Sequence, residues 1–406
     1  VKSKSDHVKA GESIMFKLRR RDRFSAQEYL RYLQEKCKPL GYNYPIPDVG
    51  FLEKRIRTID RKAQREIYEQ LGAAVEQLKK DKLAWMRKTK IRGDRSRLEV
   101  PSIYLLMDEM IDDIVKIAET HGYKTSQEVV FGSLPVGRLN AVAIKVPSGK
   151  GIVVALNQGT VPFLIEMSSA MAFFFTTTRI NGNAAWALKS VTGDIDNDIS
   201  IAIKEDKRGH YEFIESLFAF FGIGVKIKDS KISETRDTRA KALHTLARVL
   251  ADEAIMFIVA HEYAHVFLEH MSRRAETETF FLSNMRVEKI KRNWDQELEA
   301  DNFGCQVVMS HFLSHGQPIP TSYAGIDLFF SSLEAIERII GRHSSESHPS
   351  ASIRRDHLRK LIRQTLPERA EEFLGLGIVI QKMMSELLRE NENLVYRVLH
   401  DLKKSK

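Results

Sequence analysis

The segment ADEAIMFIVAHEYAHVFLEH, residues 251–270, constrains this chain more than any other. It is rich in helix formers and has no Pro or Gly, so it predicts a helix. Residues four apart on a helix share one face. His261 and His265 therefore aim two imidazoles at one point. An apolar run leads directly into two histidines and a glutamate, and burying such groups without partners is costly. A metal ion supplies the compensation. Zinc accepts imidazole nitrogen, and its open sites use three protein ligands. Glu262 lies about 100° further round the helix. That puts it beside the metal without ligating it, in reach of a proton on a water activated there.

A third ligand is offered downstream by WDQELEADNFG, residues 294–304. Glu297 and Asp301 are again four apart on an expected helix. Glu297 supplies the carboxylate that completes a His₂Glu set. Asp301 can accept a hydrogen bond from the far nitrogen of a ligand histidine and fix its tautomer. Glu299 is two positions off that face, which favours Glu297. The 31 residues between the two motifs, 266–296, let the chain return antiparallel. Residues 276–286 (ETETFFLSNMR) read as a loop there, either a rim of the cleft or a plain connection.

HEYAH followed by ELEAD resembles the gluzincin metallopeptidases, whose second motif is Glu-x-x-Ala-Asp. SHPSASIR, residues 347–354, is similar to the His-Pro segment followed by Arg in the HtpX and CAAX prenyl-endopeptidase family. The three elements keep that family's order across residues 260–354. Those membrane peptidases carry transmembrane helices, and no apolar run here reaches the roughly 18 residues such a span needs. The closer models are the Lit-type phage-exclusion peptidases and the ImmA/IrrE peptidases. HEYAHVFLEH and EADNFGCQVVMS look like their zinc helices, with Asp301 where ImmA/IrrE proteins usually carry Asn. The resemblance implies a zinc-dependent endopeptidase with a narrow intracellular protein target, regulatory or defensive. Its implied zinc ligands are His261, His265 and Glu297, with Glu262 as general base. His348 stabilises the oxyanion or simply turns the chain, and Arg354 supports the site or anchors substrate.

Other residues carry weaker signals. His270, five after His265, falls off the ligand face and reads as structural or exposed. Residues 129–146 and 151–156 are rich in Val, Ile and Ala and read as strands around a PSGKG hairpin turn. They form a core hairpin or an edge to which a peptide adds as a strand. Residues 193–205 mimic a calcium loop, but Ile199 stands where Gly is needed, and residues 199–203 read as a strand. PSGKG lacks the spacing of a phosphate-binding loop. Residues 164–175 read as a buried helix and 101–121 as another, with Ser102 as cap and Gly122 as stop.

Charge divides the chain. Residues 1–100 hold 26 Lys+Arg against 14 Asp+Glu, a balance of +12, which leaves −3 for the rest of a chain whose total is +9. The basic third suits an acidic or nucleic-acid partner, or is a solvated helical face. It motivates a rival reading, a nucleic-acid-associated regulatory protein with a structural zinc site. Glu262 argues against that rival, since a structural site has no use for it. The first residues hold no apolar stretch of the signal-peptide kind. Two cysteines, Cys37 and Cys305, build no disulfide framework. The expected setting is the cytosol, without membrane insertion. The expected fold is α+β and helix-rich. A basic helical region (1–100) precedes a gluzincin-type catalytic domain with a small β-sheet (101–365), and C-terminal helices (366–406) follow.

Overall fold

The computed structural model describes residues 25–37, 101–137, 139–147, 151–177, 207–221, 238–271, 277–282, 285–290, 293–341 and 349–405. It is α+β, with nine α-helices, one three-stranded sheet and one hairpin among the described residues. In chain order these are α1 (Ala26–Lys36), α2 (Pro101–Thr120), β1 (Glu128–Leu134), β2 (Ala141–Lys145), β3 (Gly151–Asn157), α3 (Thr160–Thr177) and α4 (Lys207–Phe220). Then come α5 (Thr238–Phe267), β4 (Thr277–Leu282), β5 (Met285–Ile290), α6 (Trp294–Ser314), α7 (Ala324–Ile340), α8 (Ala351–Thr365) and α9 (Ala370–Ser405).

The sheet order is β1-β3-β2. β2 and β3 form the expected antiparallel hairpin, with Ala143 opposite Val154. β1 pairs parallel with β3, Phe131 beside Val154, so the hairpin folds back and inserts its second strand next to β1. Alternate side chains serve two cores, as the period of a strand requires. Ala141, Ala143, Ile152, Val154 and Leu156 join the main helical core. Val142, Ile144, Val146, Val153 and Ala155 face α1 through Ala26, Leu30 and Leu33. A sheet buried on both faces reads as near-continuous apolar sequence, which is why β3 is buried along its whole length. α1 is started by a capping box, in which Ser25 and Glu28 satisfy each other's backbone N–H. Gln34 fixes it to the sheet by donating from its side-chain amide to the Ser133 carbonyl at 2.9 Å.

α5 runs through the centre of the main core, packed by α3 on one side and α6 on the other. α7 comes very close to it at Gly325. A Cβ there would strike the Glu253 side chain and stand 2.5 Å from the Leu250 carbonyl oxygen. The Gly325 N–H donates to Glu253 Oε2 at 2.7 Å, and burial pushes the Glu253 carboxyl well above its ordinary pKa.

Several expectations change. α2 begins at Pro101, so Ser102 is its second residue and not its cap. Pro suits that first position because the N–H it lacks has no partner inside the helix. Gly122, with φ of 84°, does stop the helix. Residues 276–286 are not a plain loop: β4 and β5 form an antiparallel hairpin across them, and the backbone of β5 lies close to β2. The C-terminal segment is one long helix, α9, and not several. The buried helix expected over 164–175 is α3. Residues 193–205, with the strand read at 199–203, lie outside the described residues, as do His348 and all of the basic region 1–100 except 25–37. No helix among the described residues is long and apolar enough to cross a membrane.

Candidate metal centre

Helix α5 presents His261 and His265 one turn apart, and α6 brings Glu297 opposite them. α6 is placed by its own capping box. Gln296 N–H donates to Asn293 Oδ1 at 2.9 Å, and Asn293 N–H donates to Gln296 Oε1 at 3.2 Å. Glu297 therefore lies in the first turn, where the helix dipole favours a carboxylate. Gly304, further along α6, lets the two helices approach, since a Cβ there would sit 3.2 Å from the Phe257 ring and 3.4 Å from the His261 nitrogen.

The three ligand side chains form a triangle in which each Glu297 oxygen faces one imidazole. His261 Nε2 is 3.2 Å from His265 Nε2. Glu297 Oε2 is 3.5 Å from His261 Nε2, and its Oε1 is 3.6 Å from His265 Nε2. Ligands at about 2.0–2.1 Å from a tetrahedral ion stand about 3.3 Å from each other. The donor set and its spacing fit such an ion. Among the described residues it is the one group of three or more His, Cys, Asp and Glu with metal-ligand spacing, and all three members are buried.

The support behind His261 is ionic. Its Nδ1 lies 2.9 Å from Asp301 Oδ1. Arg354, on α8, clamps the same carboxylate with two nitrogens, Nη2 at 2.6 Å and Nε at 2.8 Å. The Arg354 guanidinium also sits over the Phe330 ring and lies 3.9 Å from Glu297 Oε2. Burial alone would raise the Asp301 carboxyl, but Arg354 and His261 hold it below the ordinary carboxylate range. Burial likewise disfavours the imidazolium of His261. Asp301 and Glu297 outweigh it and lift His261 to about 9 in the metal-free site. Binding a cation there would displace that proton.

The support behind His265 is a second imidazole. Its Nδ1 lies 2.9 Å from Nδ1 of His270, and Nε2 of His270 lies 3.0 Å from Glu299 Oε2. The helical wheel places His270 off the ligand face, but α5 ends at Phe267. Glu269, with a left-handed φ of 55°, turns the chain so that His270 folds back under His265. Sequence periodicity holds only inside the helix and carries no signal for this turn.

Glu262 is buried beside the triangle. Its Oε2 accepts a hydrogen bond of 2.7 Å from the backbone N–H of Ala143. β2 is an edge of its sheet, and the Ala143 N–H faces away from β3, towards α5. Sequence reading places Glu262 but cannot find this partner, which a distant strand supplies. A cavity of about 270 Å³ opens at the site. His261, Glu262, Glu297 and Arg354 line one side, and residues 139–142 line another. Of the two roles read for Arg354, its contacts are those of a support: it is buried and committed to Asp301.

A buried His₂Glu set beside a carboxylate at the wall of a cleft can hold a cation and move a proton next to it. Comparison with known proteins agrees in class. Residues 225–376 match the family model described as Peptidase U49. The match contains α5, α6, α7 and α8, hence every residue of the triangle and its supports, and it marks the chain as a peptide-bond hydrolase. Neither the curated proteins nor the solved structures gave a match.

Proposed function

We propose that this chain is a zinc-dependent endopeptidase that cleaves a specific protein. The observation that carries the reading is the triangle of His261, His265 and Glu297, spaced at 3.2–3.6 Å, with Glu262 alongside. Two imidazoles and one carboxylate suit zinc, and three protein ligands leave one position open, as a catalytic site requires. Zinc, when bound, supplies a Lewis acid that lowers the pKa of a water towards about 7 and polarises a carbonyl.

The residues of the chain do the rest. Glu262 takes the proton from the attacking water and returns it to the leaving amine nitrogen. The Ala143 N–H fixes the orientation of that carboxylate. Asp301 and Arg354 hold His261 in the tautomer that keeps Nε2 free for the ion. An extended peptide lies along residues 139–142 at the mouth of the cavity, where edge-strand backbone offers hydrogen bonds without regard to side chain. The target is intracellular in this reading, and the hairpin β4–β5 borders the approach beside β2.

The test compares protein termini in native cells that carry either the wild-type chain or Glu262→Gln. New termini from one or a few proteins should appear only with the wild type. Identical sets of termini, under conditions where the wild-type chain is loaded with zinc, would overturn the proposal.

A further inference from the structure

We propose that His270 and Glu299 form a hydrogen-bonded positioning chain that runs from the metal ligand His265 to the protein surface. The inference rests on the metal reading above, and it concerns residues outside both sequence motifs' ligand faces.

Two short contacts set where the protons of this chain lie. His265 presents Nε2 to the triangle, so that atom must keep its lone pair for the ion. The proton of its neutral ring then sits on Nδ1. Nδ1 is 2.9 Å from His270 Nδ1, which must therefore be the acceptor. The proton of His270 is thus on Nε2, and that atom donates to Glu299 Oε2 at 3.0 Å. Each bond has one donor and one acceptor, and the order is set at both ends. The ion fixes the lone pair at one end, and a carboxylate, which only accepts, fixes the proton at the other. The His270 side chain is buried, while that of Glu299 is 61% exposed. The chain therefore crosses from the core to solvent in two hydrogen bonds.

Position in the fold explains why these two residues meet. The left-handed turn at Glu269 returns His270 beneath α5, and Glu299 stands on α6 two residues beyond Glu297. One helix thus provides a ligand on its inner face and the terminal acceptor on its outer face. His270 touches neither ion nor substrate, so it is a positioning residue. Partners of this kind typically alter metal affinity by about 10–100-fold.

The experiment measures the zinc affinity of the full-length chain by competition with a chromophoric chelator. Thermal melting of the metal-free proteins reports folding separately. His270→Leu removes the acceptor and should weaken zinc binding by about 10–100-fold. His270→Asn returns an acceptor oxygen close to the place of Nδ1 and should recover most of that loss. Glu299→Ala, an exposed change that leaves the core intact, should weaken binding by about 2–5-fold, as expected of a charge partly screened by water. Burial alone would not separate Leu from Asn in this readout. If the wild type binds zinc and His270→Leu binds it equally well, the chain does not position His265. His270→Asn as weak as His270→Leu, in a protein that melts normally, would also overturn it. A wild type that binds no zinc defeats the proposed function itself, and this inference with it.

Discussion

His261 and His265 present the same ring nitrogen to the same point, and they are held there by different physics. Behind His261 stands Asp301, fully buried and clamped by two nitrogens of Arg354. Behind His265 stands a second imidazole, His270, whose far nitrogen ends on the exposed Glu299. The first support brings a negative charge close to the ion and cancels its desolvation cost with a guanidinium. Breaking such a buried pair strands the remaining charge. The second keeps its carboxylate at the surface, with Glu299 61% exposed. Its energetic weight falls on orientation and tautomer, so its loss should be felt in metal affinity more than in folding. One histidine is anchored by the core and the other by a wire to the surface.

That contrast can be broken experimentally. The largest effect expected is on a residue that belongs to neither support. Glu262→Gln should lower turnover of the protein substrate by about 10²–10⁴-fold while zinc content stays at the wild-type level. Loss of zinc together with activity would place Glu262 among the ligands instead. Next comes Asp301→Ala, which leaves Arg354 unpaired in the core. It should destabilise the metal-free protein by about 3–5 kcal/mol, read as a lowered melting temperature. His270→Leu should lose zinc affinity with a much smaller change in melting. The split matters more than either value, since equal losses of stability would make the two supports alike. A smaller effect tests the scaffold under both. Gly325→Ala forces a Cβ against Glu253 and the Leu250 carbonyl, and overpacking of that kind costs about 1–3 kcal/mol. Chelation should give a comparable sign: removal of zinc lowers the melting temperature, because an ion that binds only the folded state stabilises it by mass action.

The sequence made some of this legible and hid the rest for physical reasons. His261, His265, Glu297 and Asp301 were readable because each pair sits inside one helix, where spacing alone decides which side chains share a face. Arg354 was readable from its place after the two motifs, although not the identity of its partner, 53 residues away in α6. His270 was hidden because it lies past the end of α5, where the helical period no longer applies and a left-handed residue redirects the chain. The contact of Ala143 with Glu262 spans 119 positions and depends on which strand becomes the edge. The insertion of β3 between β1 and β2 is equally non-local. The hairpin β4–β5 does carry a local signal. Thr277–Leu282 and Met285–Ile290 carry Thr, Phe, Val and Ile, and only Ser283 and Asn284 separate them.

The central claim is that two helices hold one catalytic zinc, and elemental analysis tests it most directly. The wild-type chain and His265→Ala would be equilibrated with micromolar zinc, freed of excess by gel filtration, and assayed for metal per chain. The account predicts about one zinc per chain in the wild type and a large loss in His265→Ala. A wild-type chain without zinc, or a variant that retains as much as the wild type, would contradict it.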